Sequence, residues 1–228
     1  MEKYFTVFTS ILEVLVYYLL CYIILSFNQN FQNIKLSKQL YIVKNIVKSF
    51  VLLYVSIIAT CELYSYFITN HINIDNIYYY ASAYVSNDIV ALLIVPNLPQ
   101  TTKIHHQITT LFLVYTLHVD YNDMTNVGLL LFIYTIFSSY TFLVNFYLGI
   151  RFLKHDKNKY LNDIIEYSRV WAYFIYKYSC FINWTIHTII LSYRAYIGLY
   201  NLHYILYSCL LYFIIKDDLI LMRWLNHG

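Results

Sequence analysis

Residues 4–27 read YFTVFTSILEVLVYYLLCYIILSF, with Glu13 as the one charged side chain in the run. A helix needs ~20 mostly apolar residues to cross the hydrocarbon core of a bilayer, and this stretch meets that length. Six further apolar runs follow: Tyr41–Thr69, Ile77–Val95, Ile104–Val119, Asn126–Phe152, Val170–Tyr193 and Ile197–Ile215. Ile104–Val119 is the shortest. Lipid offers no partner for backbone N–H and C=O groups, so long runs of this kind predict helices, which satisfy those groups internally. The expected fold is all-α: a polytopic transmembrane bundle of about seven spanning helices. Residues 1–40 would hold the N-terminal transmembrane helix and a first basic loop, and residues 41–228 a helical membrane domain.

Composition agrees. The chain of 228 residues is 60% hydrophobic and 12% charged, about half the charge of a typical soluble domain at roughly 25%. Four glycines and two prolines are few for a loop-rich β protein. Glu2 and Lys3 precede the first run and no small-residue cleavage site follows it, so it is read as a retained helix rather than a removable signal. Cys21, Cys61, Cys180 and Cys209 each lie in an apolar stretch without metal-site or CxxC spacing. They read as buried small hydrophobes. The net charge of +3, with no basic aromatic stripe, gives no case for nucleic acid.

Charge in the connections suggests an orientation. Lys35, Lys38 and Lys44 fall in the first loop and Lys103 in the third. Arg151, Lys154, Lys157, Lys159 and Arg169 fall in the fifth, and Lys216 and Arg223 in the tail. Asp75, Asp120 and Asp123 fall on the other side, with Lys3 and Arg194 as exceptions. The positive-inside rule then places the C-terminus in the cytoplasm and the N-terminus outside or in a lumen.

Polar groups within the runs mark function or helix packing, because hydrocarbon penalises them. His105, His106, Thr109 and Thr110 share one polar arc of the fourth helix. Paired imidazoles suit proton transfer or nucleophilic catalysis; the alternative is interfacial histidines wetted beside Lys103. Asn87–Asp88 lies in the third helix, and a short loop makes a histidine of the next helix the obvious partner for Asp88. A packing hydrogen bond is the alternative. Ser138, Thr141, Asn145 and Gly149 share an arc of roughly 80°, which points first to close packing and second to a polar cavity wall. Asn183, His187 and Arg194 align within roughly 40° on the sixth helix, with Arg194 near the surface. Glu13 and Glu62 are intramembrane acids without an assigned partner. No HxxxH or HxxE spacing accompanies the histidines, so no metal site is expected. No paired helices broken by Gly and Pro suggest a transporter.

The segment SNDIVALLIVPNLPQTTKIHHQITTLFLVY, residues 86–115, resembles the TLC family of membrane proteins, which includes the ceramide synthases. The shared pattern is an acid on one helix, a short loop, and a double histidine opening the next: Asp88, His105 and His106. SSYTFLVNFYLGIRFL resembles a downstream block of that family, with Asn145 on its asparagine. Phe142 stands where proline is usual and Ser138 where an acid is usual. The resemblance implies a six-helix TLC-type core plus an N-terminal helix, and a lipid-sized cavity. It implies His105, His106 and Asp88 as catalytic residues; with the polar arcs of the helices, Thr109, Ser138, Thr141, Asn145, Asn183 and His187 are the expected substrate contacts. It also implies membrane lipids as partners, no bound cofactor, and an endoplasmic reticulum or related endomembrane location. A homo-oligomer is compatible with it. The expected activity is N-acyl transfer from acyl-CoA, as co-substrate, to a long-chain amine. Non-catalytic lipid binding, lipid transport or regulation of membrane composition is the alternative.

Overall fold

The computed structural model describes residues 2–69, 73–121, 126–154 and 158–227, and within them every regular element is helical. The helices are α1 (Glu2–Ser26), α2 (Gln29–Gln32), α3 (Leu36–Thr69), α4 (Ile74–Ile94), α5 (Gln100–Thr116), α6 (Gly128–Ser139), α7 (Phe142–Ile150), α8 (Lys159–Tyr196) and α9 (Leu202–His227). A short 3-10 turn, Arg151–Leu153, follows α7. Three stretches are long and apolar enough to cross a membrane: Glu2–Ser26, Leu36–Tyr66 and Gly128–Leu153. Large apolar side chains stand on the outer surface, among them Phe5, Phe8, Leu19 and Ile24 of α1 and Trp171, Phe181 and Ile189 of α8. Water penalises such a surface and lipid does not.

Short connections make successive long helices run in opposite directions. Contacts at the two ends agree. At one end Lys3 donates to the Leu117 carbonyl and the Tyr204 hydroxyl to Asn126 O, at 2.8 Å. At the other, Arg169 donates to Leu225 O at 3.1 Å, and the Tyr147 and Trp224 rings lie 5.8 Å apart. This second end gathers the start of α3 and α5 and the close of α7 and α9.

Four boundaries differ from the sequence reading, each for a physical reason. The run Asn126–Phe152 is not one helix. It breaks at Tyr140–Thr141, where the Tyr140 and Thr141 amides reach back only three residues, to Phe137 O and Ser138 O. Hydroxyls take neighbouring carbonyls: Ser139 Oγ donates to Ile136 O at 2.6 Å, and Thr141 Oγ1 donates at 2.7 Å to Ser138 O, which it shares with its own amide. Such bonds bend helices without proline. The basic stretch expected as the fifth loop is largely helical, because α8 starts at Lys159. Asn158 caps it by accepting from the Leu161 amide at 3.0 Å. The tail beyond Ile215 continues α9, so Lys216 and Arg223 are helical. Lys44 lies inside α3 and is buried, not in a loop. Lys157 and Asp123 lie outside the described residues.

Gly149 fits the packing reading of its arc. A Cβ there would stand 2.7 Å from Ile46 Cγ1 and 3.3 Å from Ile42 O, so α7 meets α3 at glycine distance. The cysteines divide: Cys180 is buried and Cys21 half-buried, but Cys61 and Cys209 are exposed on the outer surface, contrary to expectation. Glu62 accepts from the Asn73 amide at 3.2 Å and Asn76 Nδ2 at 2.8 Å, tying the end of α3 to the start of α4.

Candidate active site

Asp88 is fully buried on α4, and three side chains from two other helices converge on its carboxylate. Lys48 of α3 donates to Oδ1. Thr109 Oγ1 of α5 donates to Oδ2 at 2.9 Å. His106 Nδ1 of α5 stands 3.0 Å from Oδ1, a close contact whose alignment departs from that of a linear hydrogen bond. His106 is 3% exposed, so it is not an interfacial histidine. Its Nε2 has no partner among the described residues.

The charges decide what this arrangement does. A lone buried carboxylate is strongly penalised, and Lys48 supplies the opposite charge. His106 then need carry none. With its proton on Nδ1 toward Asp88, it leaves the Nε2 lone pair free to take a proton from a bound molecule. The same Thr109 hydroxyl lies 3.0 Å from His106 O, so its one proton is shared between that carbonyl and Asp88. Behind Asp88, the Tyr18 hydroxyl of α1 donates to Asn87 Oδ1 at 2.9 Å.

His105 makes a second imidazole–carboxylate pair. Its Nδ1 lies 3.1 Å from Asp217 Oδ2 of α9, again off the line of a hydrogen bond, and both side chains are about four-fifths buried. The two histidine rings meet edge to face, 5.9 Å between centroids.

His105 and His106 line a cavity of about 270 Å3 between α3, α5, α6–α7, α8 and α9. Its size is near the lower end of the roughly 300–1,000 Å3 of ligand pockets. Ser138, Thr141, Asn145 and Asn183 also line it, together with Lys44, Arg151, Tyr176, Asp217 and Asp218. Asn145 Nδ2 donates to Thr141 O at 3.1 Å, across the break in the helix, and Asn183 Oδ1 is buried without a partner among the described residues. Asp218 accepts from the Tyr176 hydroxyl at 2.7 Å. Among the described residues no group of three His, Cys, Asp or Glu side chains is arranged to hold a metal ion.

Two expected substrate contacts sit elsewhere. Thr109 is behind the cavity, holding Asp88. His187 is a packing residue: Nδ1 bonds to Asn183 O and Nε2 to the Tyr207 hydroxyl, each at 2.8 Å, with the rings stacked. Both its nitrogens are used, so it has none to offer a ligand. The sequence reading missed Lys48, Asp217 and Asp218. For Lys48 a signal existed: Lys44, Asn45 and Lys48 interrupt an otherwise apolar run at helical spacing.

A second, larger groove of about 740 Å3 lies between α1, α3 and α4. Apolar side chains and tyrosines line it, with Glu13 as its one acid.

In comparisons with known proteins, no family model, no curated protein and no solved structure matches the chain.

Proposed function

We propose that this chain is a multi-pass membrane protein that acts on lipids, by N-acyl transfer from acyl-CoA to a long-chain amine. One observation carries the reading: a buried His106 with Nδ1 3.0 Å from Asp88 and Nε2 unpaired among the described residues, its ring lining a cavity among the helices. In the reaction, the amine nitrogen attacks the thioester carbon while Nε2 takes its proton. The C–S bond then breaks, the proton passes to the departing thiolate, and an amide and free coenzyme A result. His105, oriented by Asp217, stands beside the reacting groups. The TLC-like pattern of Asp88, His105 and His106 agrees with this reading. Ser138 replaces the acid of that pattern, but Asp217 and Asp218 line the same cavity from α9 and bring carboxylates to it.

We place α1, α3, α4, α5, α6–α7, α8 and α9 as seven crossings, with the C-terminus cytoplasmic and the N-terminus lumenal, in an endomembrane such as the endoplasmic reticulum. The basic residues at the α3, α7 and α9 ends support that orientation. The test is the lipid profile of cells expressing the wild type or the double variant His105→Ala/His106→Ala. Acyl transfer predicts long-chain amides that rise with the wild type alone. The second reading, lipid binding without catalysis, draws on the serine at position 138. It predicts that both proteins shift the same lipids.

A further inference from the structure

The basic residues at the cytoplasmic end are not scattered. Arg151 lies over two rings, its Cζ 4.6 Å from the Phe152 centroid and 4.4 Å from that of Trp224. Lys38 Nζ is 5.4 Å from the same Phe152 ring. Tyr41 packs edge to face on Phe152, 6.0 Å between centroids, and Lys44 Nζ is 5.9 Å from the Tyr41 ring. Three cations thus surround one pair of aromatic rings.

Two of these basic side chains keep donors without a hydrogen-bond partner among the described residues. Lys44 is 4% exposed, and its ammonium makes a single hydrogen bond among the described residues, to Asn45 Oδ1 at 3.3 Å. Arg151 Nε is buried with no partner there. None of the three is in an ion pair among the described residues. The nearby Glu166 is occupied by Arg169, at 3.3 Å, and approached by Lys154 at 3.9 Å. A buried amine with spare donors on a cavity wall can donate to an anionic group that enters there. Tyr41, Lys44, Arg151 and Trp224 line the same cavity as His105 and His106.

We infer that Lys38, Lys44 and Arg151, gathered around Tyr41 and Phe152 beside the part of the cavity that Tyr41, Lys44 and Arg151 line, bind a phosphate-bearing headgroup. Aromatic rings orient the guanidinium and hold it near its working geometry. Three cations suit a multiply charged group better than a carboxylate. Asp217 and Asp218, on the α9 wall, repel phosphate from the interior. The phosphates therefore stay at the rim while an uncharged acyl group passes inward to His105 and His106. The site shares its cavity with the acyl-transfer reading but needs none of its chemistry. The phosphate belongs either to coenzyme A or to an anionic lipid.

The test uses the full chain purified in phosphatidylcholine nanodiscs. It is titrated with coenzyme A or with water-soluble dihexanoyl phosphatidate, with binding read by thermophoresis and by tryptophan fluorescence. Arg151→Gln and Lys44→Met should each weaken binding by about tenfold or more, and Arg151→Lys should recover part of it. Thermal unfolding checks each variant, and Arg151→Gln at the rim is the one least exposed to folding defects. Sensitivity in the coenzyme A titration assigns the site to the acyl donor. Sensitivity with phosphatidate alone assigns it to a lipid headgroup and removes the donor from the acyl-transfer reading. Binding of neither probe by the wild type, or equal binding by wild type and Arg151→Gln, overturns the site. His106→Asn should cut transfer by about 100-fold or more and leave phosphate binding intact, which separates failure of the chemistry from failure of the site.

Discussion

Replacing Lys48 with Met tests the charge balance around Asp88. Met has a similar length but no charge, so the change strips Asp88 of its counterion while filling the same space. The Lys48 and Asp88 side chains are 6% and 0% exposed, so water cannot take over. Breaking a buried ion pair on one side costs about 3–5 kcal/mol, because the remaining charge is left uncompensated. Thr109 and His106 hold part of that charge, which favours the lower half of the range. The double variant Lys48→Met/Asp88→Asn removes both charges and leaves Asn to accept from Thr109. It should recover most of the loss, giving a coupling of about 2 kcal/mol or more. Thermal unfolding of the four proteins in one detergent closes the cycle. A Lys48→Met protein as stable as wild type refutes the reasoning, as does a double variant no more stable than the less stable single.

Three further outcomes follow from the packing and the topology. Gly149→Ala should destabilise by about 1–3 kcal/mol, because the new methyl meets Ile46 Cγ1 at 2.7 Å where α7 crosses α3; a melting curve unchanged from wild type would remove that close crossing. His187→Gln should lower stability but leave transfer per folded molecule near wild type, since His187 spends both nitrogens on Asn183 and Tyr207. A selective loss of turnover in a well-folded variant would return His187 to the site. Tags on the two termini should label from opposite sides of the membrane in selectively permeabilised cells, and labelling from one side contradicts seven crossings.

The sequence made the apolar runs plain, because lipid imposes the same requirement on every helix it surrounds. It also pointed to Asp88 and His106 as neighbours, since a short loop joins their helices. Lys48 was hidden for the opposite reason: its partner lies 40 positions along the chain, and only packing reveals it. Asp217 and Asp218 were lost because the apolar run ends at Ile215 while the helix continues for two more turns and beyond. Charged residues sustain a helix as well as apolar ones do. The break at Tyr140–Thr141 had no proline or glycine to announce it; serine and threonine hydroxyls bonded to nearby carbonyls cause it. For His187, the polar arc of the sixth helix was visible, but not whether it faced a cavity or the Tyr207 ring.

The most direct test of the proposed chemistry is a reaction in nanodiscs with isotopically labelled acyl-CoA and a panel of long-chain amines, with labelled amide and free coenzyme A measured by mass spectrometry. The account predicts equal amounts of the two products with wild-type protein. His106→Asn, checked for folding, should reduce turnover by about 100-fold or more, in keeping with loss of a general base. Amide formed as fast by His106→Asn as by wild type, or no amide from wild type with any amine of the panel, would contradict it.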